Sequence, residues 1–271
     1  MRRILLLLCL WLPSAAWSDV KLTVFNCGEL RFDDVTAFGL ANEETDVRDM
    51  FVPCYLIEHP RGRLLWDSGL PLAVAGKGEM DVPGGGRMSY ATSIIEQLAH
   101  QGIEPADIDL LAMSHFHFDH VGGANALSSS QLLIQQTEYD AAFLHPEKFP
   151  IFDTSLYPDL YASPKRLLNG DHDVFGDGQV MIISTPGHTP GHQVLLVRLK
   201  KTGPILLSGD LYHFRVTRQL KRTPSFNTSA QDTLKSMDKV EHLIKASGAT
   251  LWIEHDMALA KTLRLAPAFY D

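Results

Sequence analysis

Along much of the chain, apolar residues fall in short blocks bounded by Gly, Pro, Asn and Asp, and such blocks predict strands. Residues 20–26 and 53–58 have this character. The run RLLWDSG follows the second across the turn His59-Pro60-Arg61-Gly62, which predicts a hairpin. The window MSYATSIIEQLAHQG carries Ala91, Ile94, Ile95 and Leu98 at helical spacing and stops at Gly102, the pattern of an amphipathic helix with a glycine stop. A strand is expected over 108–113, another over 131–135, and a helix opens at Thr137. Residues 145–178 show no period. Their aromatic and proline content (Phe149, Phe152, Tyr157, Tyr161; Pro146, Pro150, Pro158, Pro164) argues against a linker and makes the passage a candidate pocket wall. Strands return at 180–184, 193–199 and 204–208. A helix follows over about 231–246, with Leu234, Met237, Val240, Leu243 and Ile244 on one face, and a last strand covers 250–253. Sheet then helix occurs twice without a composition break, which fits one α/β domain over residues 19–271.

Residues 1–18 read as a signal peptide: Arg2 and Arg3, an apolar core over 4–12 and the small-x-small site Ala16-Trp17-Ser18, with cleavage near Ser18. A retained anchor is the alternative. The expected location is periplasmic or secreted. No later segment has a transmembrane-length apolar run, so no membrane insertion of the mature chain is expected. The formal charge of −8 becomes −10 without Arg2 and Arg3, which argues against nucleic acid as a partner. Cys27 and Cys54 remain after cleavage; one disulfide between neighbouring strands and two buried thiols are both open.

The chemistry concentrates in MSHFHFDHVGG. His115 and His117, two apart on extended or loop backbone, point to one side and can close on one ion. A turn into helix at Asp119 aims that carboxylate and His120 elsewhere, toward a second ion. Gly122 and Gly123 are expected to let the backbone approach the site closely. Imidazole and carboxylate without thiolate suit zinc first. Three further residues follow apolar strands: His188 in TPGHTPGH, Asp210 in LLSGDLYHF and His255 in LWIEHD. Polar groups at several strand ends converge on one sheet edge.

With these residues in place, the chain resembles the metallo-β-lactamase superfamily through HxHxDH and the later ligand positions, over essentially the whole mature chain. The resemblance implies a four-layer αββα sandwich and two divalent cations, most simply zinc. It puts His115, His117 and His188 on one cation, Asp119, His120 and His255 on the other, and Asp210 between them. Asp67 in LLWDSG resembles an early Asp-x-Gly segment and is expected to orient a ligand histidine; an aspartate of a surface turn is the alternative.

Within the superfamily, VPCYLIEHPRGRLLWDSGLP, SHFHFDHVGGAN and TPGHTPGHQVLLV resemble the N-acyl-homoserine lactonases. That resemblance implies opening of the lactone ring by a hydroxide bridging the metals, hence quorum quenching, with Asp119 passing a proton to the leaving alkoxide. It implies Phe118 in the acyl pocket; a core aromatic is the alternative. A tyrosine expected three residues after the bridging aspartate is here His213, with Tyr212 one earlier, so His213 is the candidate for the hydrogen bond to the lactone carbonyl. His192 is expected to be structural, and His59, His100, His145, His172 and His242 to be ordinary residues of loops and helix faces. The alternatives are an exported phosphotriesterase or other ester hydrolase, then a β-lactamase, disfavoured by Asp210, or a non-catalytic metal-binding module. The oligomeric state is open, a homodimer included.

Overall fold

The computed structural model of the chain describes residues 19–82 and 85–271, so the expected signal peptide lies outside the described residues. Strands β1 (Lys21–Arg31), β2 (Asp49–His59) and β3 (Gly62–Trp66) form an antiparallel meander, and β2–β3 is the hairpin expected across Pro60. On the β1 side follow the short strands β4 (Met80–Asp81) and β5 (Arg87–Ser89). On the β3 side β6 (Leu110–Ala112), β7 (Gln131–Gln135) and β8 (Lys165–Leu168) add in parallel. The sheet order is β4-β5-β1-β2-β3-β6-β7-β8. The second sheet begins with β9 (His172–Asp173), β10 (Val180–Ser184) and β11 (Gln193–Leu199). It continues with β12 (Gly203–Leu207) and β13 (Thr250–Trp252), in the order β13-β12-β11-β10-β9. A last strand, β14 (Phe269–Tyr270), pairs with β1.

Side-chain alternation sorts the core into three sheets of contact, and that sorting produces the layers. Val180, Ile182, Leu195, Val197, Ile205 and Leu207 of the second sheet meet Leu22, Tyr55, Ile57, Leu64 and Trp66 of the first. The alternate residues Ile183, Val194, Leu196 and Leu206 face outward onto Met237 and Val240 of the long helix. The outer face of the first sheet packs Leu56, Leu65 and Leu111 against Ile94, Leu98 and Val121 of short helices. The architecture is therefore the expected αββα sandwich. The helices are α1 (Ile94–Ala99), α2 (Phe118–Val121), α3 (Gln136–Tyr139), α4 (Arg215–Leu220), α5 (Ala230–Ser247) and α6 (Met257–Ala260). No helix among the described residues is long and apolar enough to cross a membrane.

Several local expectations need correction. The helix expected from Met88 starts only at Ile94, because Ser93 caps it: its hydroxyl accepts the Glu96 N–H at 3.2 Å and the Glu96 carboxylate accepts the Ser93 N–H at 3.0 Å. The residues before it form β5, and Ala91 is exposed. The passage 145–178 is not wholly irregular, since it contains β8 and β9. On α5, Met237, Val240, Leu243 and Ile244 pack as expected, but Leu234 is 38% exposed and Thr233 and Ser236 are buried in its place. Cys27 and Cys54 form a disulfide between β1 and β2.

Candidate metal centre

Five segments deliver the polar cluster to one end of the sandwich. The loop leaving β6 carries His115 and His117 on extended backbone, with His117 at φ −74°, ψ 159°. Helix α2 then turns Asp119 and His120 away from that direction. The loop after β10 brings His188, the turn after β12 brings Asp210, and the end of β13 brings His255. All seven are buried. At Gly209 only glycine fits: φ is +46°, and a Cβ would lie 2.7 Å from Ser114 Cβ and 2.8 Å from His192 Nε2. Gly122 and Gly123 do not serve the site as expected. They allow close packing on the 68–71 turn instead, where a Cβ at Gly122 would lie 2.1 Å from the Leu70 carbonyl carbon.

Two groups result. His115 Nε2 and His117 Nδ1 each lie 3.1 Å from His188 Nε2, and Asp210 Oδ2 lies 3.3 Å from His188 Nε2 and 3.6 Å from His115 Nε2. Asp119 Oδ2 lies 3.7 Å from both His120 Nε2 and His255 Nε2. The other oxygen of Asp210, Oδ1, is 2.9 Å from His255 Nε2 and 3.4 Å from His120 Nε2. One carboxylate thus presents an oxygen to each group. His115, His117, His188 and Asp210 are close enough to hold one ion, and Asp119, His120 and His255 another.

The donor set fits cations. Neighbouring hydrogen bonds fix several tautomers: Nδ1 of His188 donates to Asn227 Oδ1 at 2.8 Å and Nδ1 of His255 to the Phe51 carbonyl at 2.8 Å. Nδ1 of His120 faces Asp67 Oδ2 at 3.2 Å, so the Nε2 lone pairs of all three rings are left for the centre. His120 Nε2 and Asp210 Oδ1 are buried without a hydrogen-bond partner among the described residues. Burial and the facing imidazoles hold His115 and His117 well below the usual histidine range. At His120 burial acts the same way, but Asp119, Asp210 and Asp67 outweigh it and raise the ring well above that range. His255, buried yet beside Asp210 and Asp119, is pushed up to about 9. His115 and His117 thus stay neutral with lone pairs free for a cation. The carboxylates around His120 and His255 favour positive charge there, so each half suits a divalent ion.

The sequence model of the metallo-beta-lactamase superfamily matches residues 47–248. The chain belongs to the metallo-beta-lactamase superfamily. It is a metal-dependent hydrolase of that superfamily, and its relatives include lactonases. The N-acyl homoserine lactonase AttM of Azorhizobium caulinodans is 33% identical over 234 residues, covering 81% of this chain and 87% of AttM. The N-acyl homoserine lactonase AiiA of Bacillus thuringiensis subsp. kurstaki is 30% identical over 225 residues, 80% of this chain and 85% of AiiA. The solved structure of an N-acyl homoserine lactone hydrolase with the product N-hexanoyl-L-homoserine at its catalytic metal centre superposes with a TM-score of 0.79. It is 26% identical and covers 93% of this chain and 100% of that one.

Around this superfamily centre the remaining expected residues fall as follows. Asp67 is not in a surface turn: it is buried at φ +56°, and its Oδ1 accepts the Ser114 N–H at 2.6 Å while Oδ2 faces His120. His192 positions Asp210, whose backbone N–H donates to its Nε2 at 3.0 Å. His213 lies on the floor of the site with Nε2 3.0 Å from Asp210 Oδ2. Tyr212 points the other way, donating to Glu241 Oε1 at 2.9 Å, and so is removed from the site. Phe118 is partly buried and lines the cleft. Of the histidines expected to be ordinary, His59 is instead a buried strand end paired with Asp177 at 2.9 Å, and His172 is in β9. Sequence reasoning missed Asn227, Glu138 and Glu254, and the Phe51 carbonyl, all of which touch or flank ligand positions.

A cleft of 1210 Å³ opens above the centre. His117, Asp119, Asp210, His213 and His255 form its floor, and Pro150, Ile151 and Phe152 show the passage after α3 to be a pocket wall. Met50, Leu30 and Met88 stand in cross-strand register on β2, β1 and β5 and line the same cleft.

Proposed function

We propose that the chain opens the ring of N-acyl homoserine lactones at this centre and so removes such signals. The observation that carries the reading is the pairing, in one cleft, of a buried His/Asp floor with an apolar wall. The floor suits an ester carbonyl and the wall an acyl chain. Zinc is the proposed occupant at both positions, since the donors are imidazole and carboxylate. When bound, two such cations activate water as the nucleophile near neutral pH and polarise the ester carbonyl.

The chain's own residues do the rest. Asp210 sets the spacing of the two positions, and Asp67, Asn227 and the Phe51 carbonyl fix ring orientations. Phe118, Phe152 and Phe226 keep water from the acyl side of the cleft. Asp119, on the floor, is placed to return the proton taken from the attacking water to the ring oxygen as its bond to the carbonyl carbon breaks. His213 has its Nε2 turned to Asp210, so a contact with the lactone carbonyl comes from the other edge of the ring. Export to the periplasm or medium belongs to the same proposal and is supported by the character of residues 1–18 and by the Cys27–Cys54 bridge.

The test is a panel of acyl-homoserine lactones run on the zinc-loaded chain by pH-stat, beside a phosphotriester and a chromogenic cephalosporin. Ring opening should exceed turnover of the other two. His120→Ala should lose one of two cations and at least about 100-fold in rate, more than a change behind a ligand costs. Absence of ring opening at every chain length would overturn the proposal.

A further inference from the structure

The corner between β7 and α3 carries no candidate ligand, yet it touches both loops that supply the first group of histidines. We propose that Glu138 is a positioning residue, which fixes the loop of His115 and His117 against the loop of His188 so that three imidazoles converge on one cation. The inference rests on the two-cation reading of the centre and is independent of the lactone as substrate.

Glu138 is 1% exposed, and its two oxygens are divided between the loops. Oε1 accepts the N–H of Phe116, the residue between His115 and His117, at 3.0 Å. Oε2 accepts the N–H of Gly191, three residues after His188, at 2.7 Å. Neither donor belongs to a helix or strand, and a buried N–H without a partner is costly. The loops also meet the corner at backbone distance: a Cβ at Gly191 would lie 2.5 Å from the Glu138 nitrogen. A second brace starts at the same corner. Gln135 Nε2 donates to Gln193 Oε1 at 3.1 Å, Gln193 Nε2 donates to the Met113 carbonyl at 2.9 Å, and the Gln193 N–H donates to the Ser114 carbonyl at 2.9 Å. Gln193 therefore pins the chain just before His115, and Glu138 pins it just after.

The residue type follows from the geometry. Two N–H donors approaching from different loops need an acceptor with two oxygens and no hydrogens, which only a carboxylate offers. Glutamine keeps the volume but sets an NH2 against one of the donors, and alanine leaves both unpaired. Either change removes one of two ties between the loops, leaving only the Gln193 brace, and so loosens the spacing at which His115 and His117 approach His188 to 3.1 Å. Metal sites tolerate only about 0.2 Å in ligand distance.

A purely structural role predicts lost stability with unchanged cation binding in the folded protein, so cation binding decides. The metal-free full chain and its Glu138→Gln, Glu138→Ala and Val240→Ala variants are titrated with Co(II) and Zn(II) against a chromophoric chelator, with the Co(II) d–d absorption recorded. The Gln and Ala variants should bind one cation about 10- to 100-fold more weakly, with a shifted Co(II) band and the larger change in Ala. Val240→Ala, on the face of α5 buried against the second sheet, should melt earlier with affinity unchanged. If the Ala variant does not fold, the isosteric Gln variant decides. Affinity within twofold of wild type and an unchanged Co(II) band in Glu138→Gln would overturn the proposal. A wild-type chain that binds no cation would instead overturn the centre itself.

Discussion

Glu254 stands one residue before His255 and buries both carboxyl oxygens without a hydrogen-bond partner among the described residues. Burial, with Asp67 nearby, raises its proton affinity well above the carboxylate range, which favours the neutral form in the folded metal-free protein. A carboxyl group with a raised folded-state pKa contributes stability that is complete below its unfolded value, about 4.3, and is lost as pH rises through the folded value. Glu254→Gln removes that titration. In urea unfolding of metal-free protein the difference between the two chains should be constant below about pH 4. The variant should then gain on wild type with rising pH, by at most about 1.4 kcal/mol per unit. A constant difference across the range would show that Glu254 is ionised in the fold. Nothing in the sequence marks this residue, because its neighbours are assembled from distant segments. The ligands were legible because His115, His117, Asp119 and His120 share one short run and the others end apolar strands. Their supports were not, since Asn227 is 39 residues from His188 and the carbonyl under His255 lies 204 residues away.

At the level of elements, periodicity located strands buried on both faces, such as β10 and β11, to the residue. It missed β8, whose Lys165-Arg166-Leu167-Leu168 has no alternation and lies at a sheet edge, where exposure permits charge. On α5 it placed Met237, Val240, Leu243 and Ile244 correctly but also put Leu234 on the face, where Thr233 and Ser236 make the contact. There the Gly187 loop comes so close that a Cβ on the glycine would lie 2.2 Å from the Thr233 nitrogen and 2.5 Å from its Oγ1. The cross-strand row Met50–Leu30–Met88 could not be read from periodicity either, since register sets it. Met50 bridges to Asp256, next to His255, so the row starts beside the centre and crosses two inter-strand steps, about 10 Å. An acyl chain laid along it should gain up to about 0.8 kcal/mol, or fourfold in kcat/KM, for each methylene buried. Met88→Trp should close the far end, lowering kcat/KM for decanoyl lactone about tenfold and leaving butanoyl lactone within twofold. Equal losses for both lengths would place the acyl chain elsewhere.

For the molecule as a whole, the sandwich brings the ends of β6, β10, β12 and β13 to one rim, and what stabilises that rim stabilises the site. The Cys27–Cys54 disulfide belongs to this support. It joins β1 to β2 beneath the 67–69 turn, where Gly69 at φ +73° packs against Cys27 so tightly that a Cβ would lie 2.3 Å from that of the cysteine. The same turn carries Asp67, which holds His120, and the Ser68 N–H, which donates to the His120 carbonyl at 2.8 Å. A cross-link over a sequence separation of 27 restricts the unfolded chain by roughly 3–4 kcal/mol on the chain-entropy account. Cys27→Ser/Cys54→Ser should therefore unfold at lower urea, with a free energy reduced by about that amount. It should still bind two cations at 25 °C, because both sulfur positions stay buried under an intact sheet. The same loss should follow when the wild type is reduced during unfolding. Identical midpoints with and without reductant would mean that the cysteines are free in solution, and the support for export drawn from the bridge would fall with them.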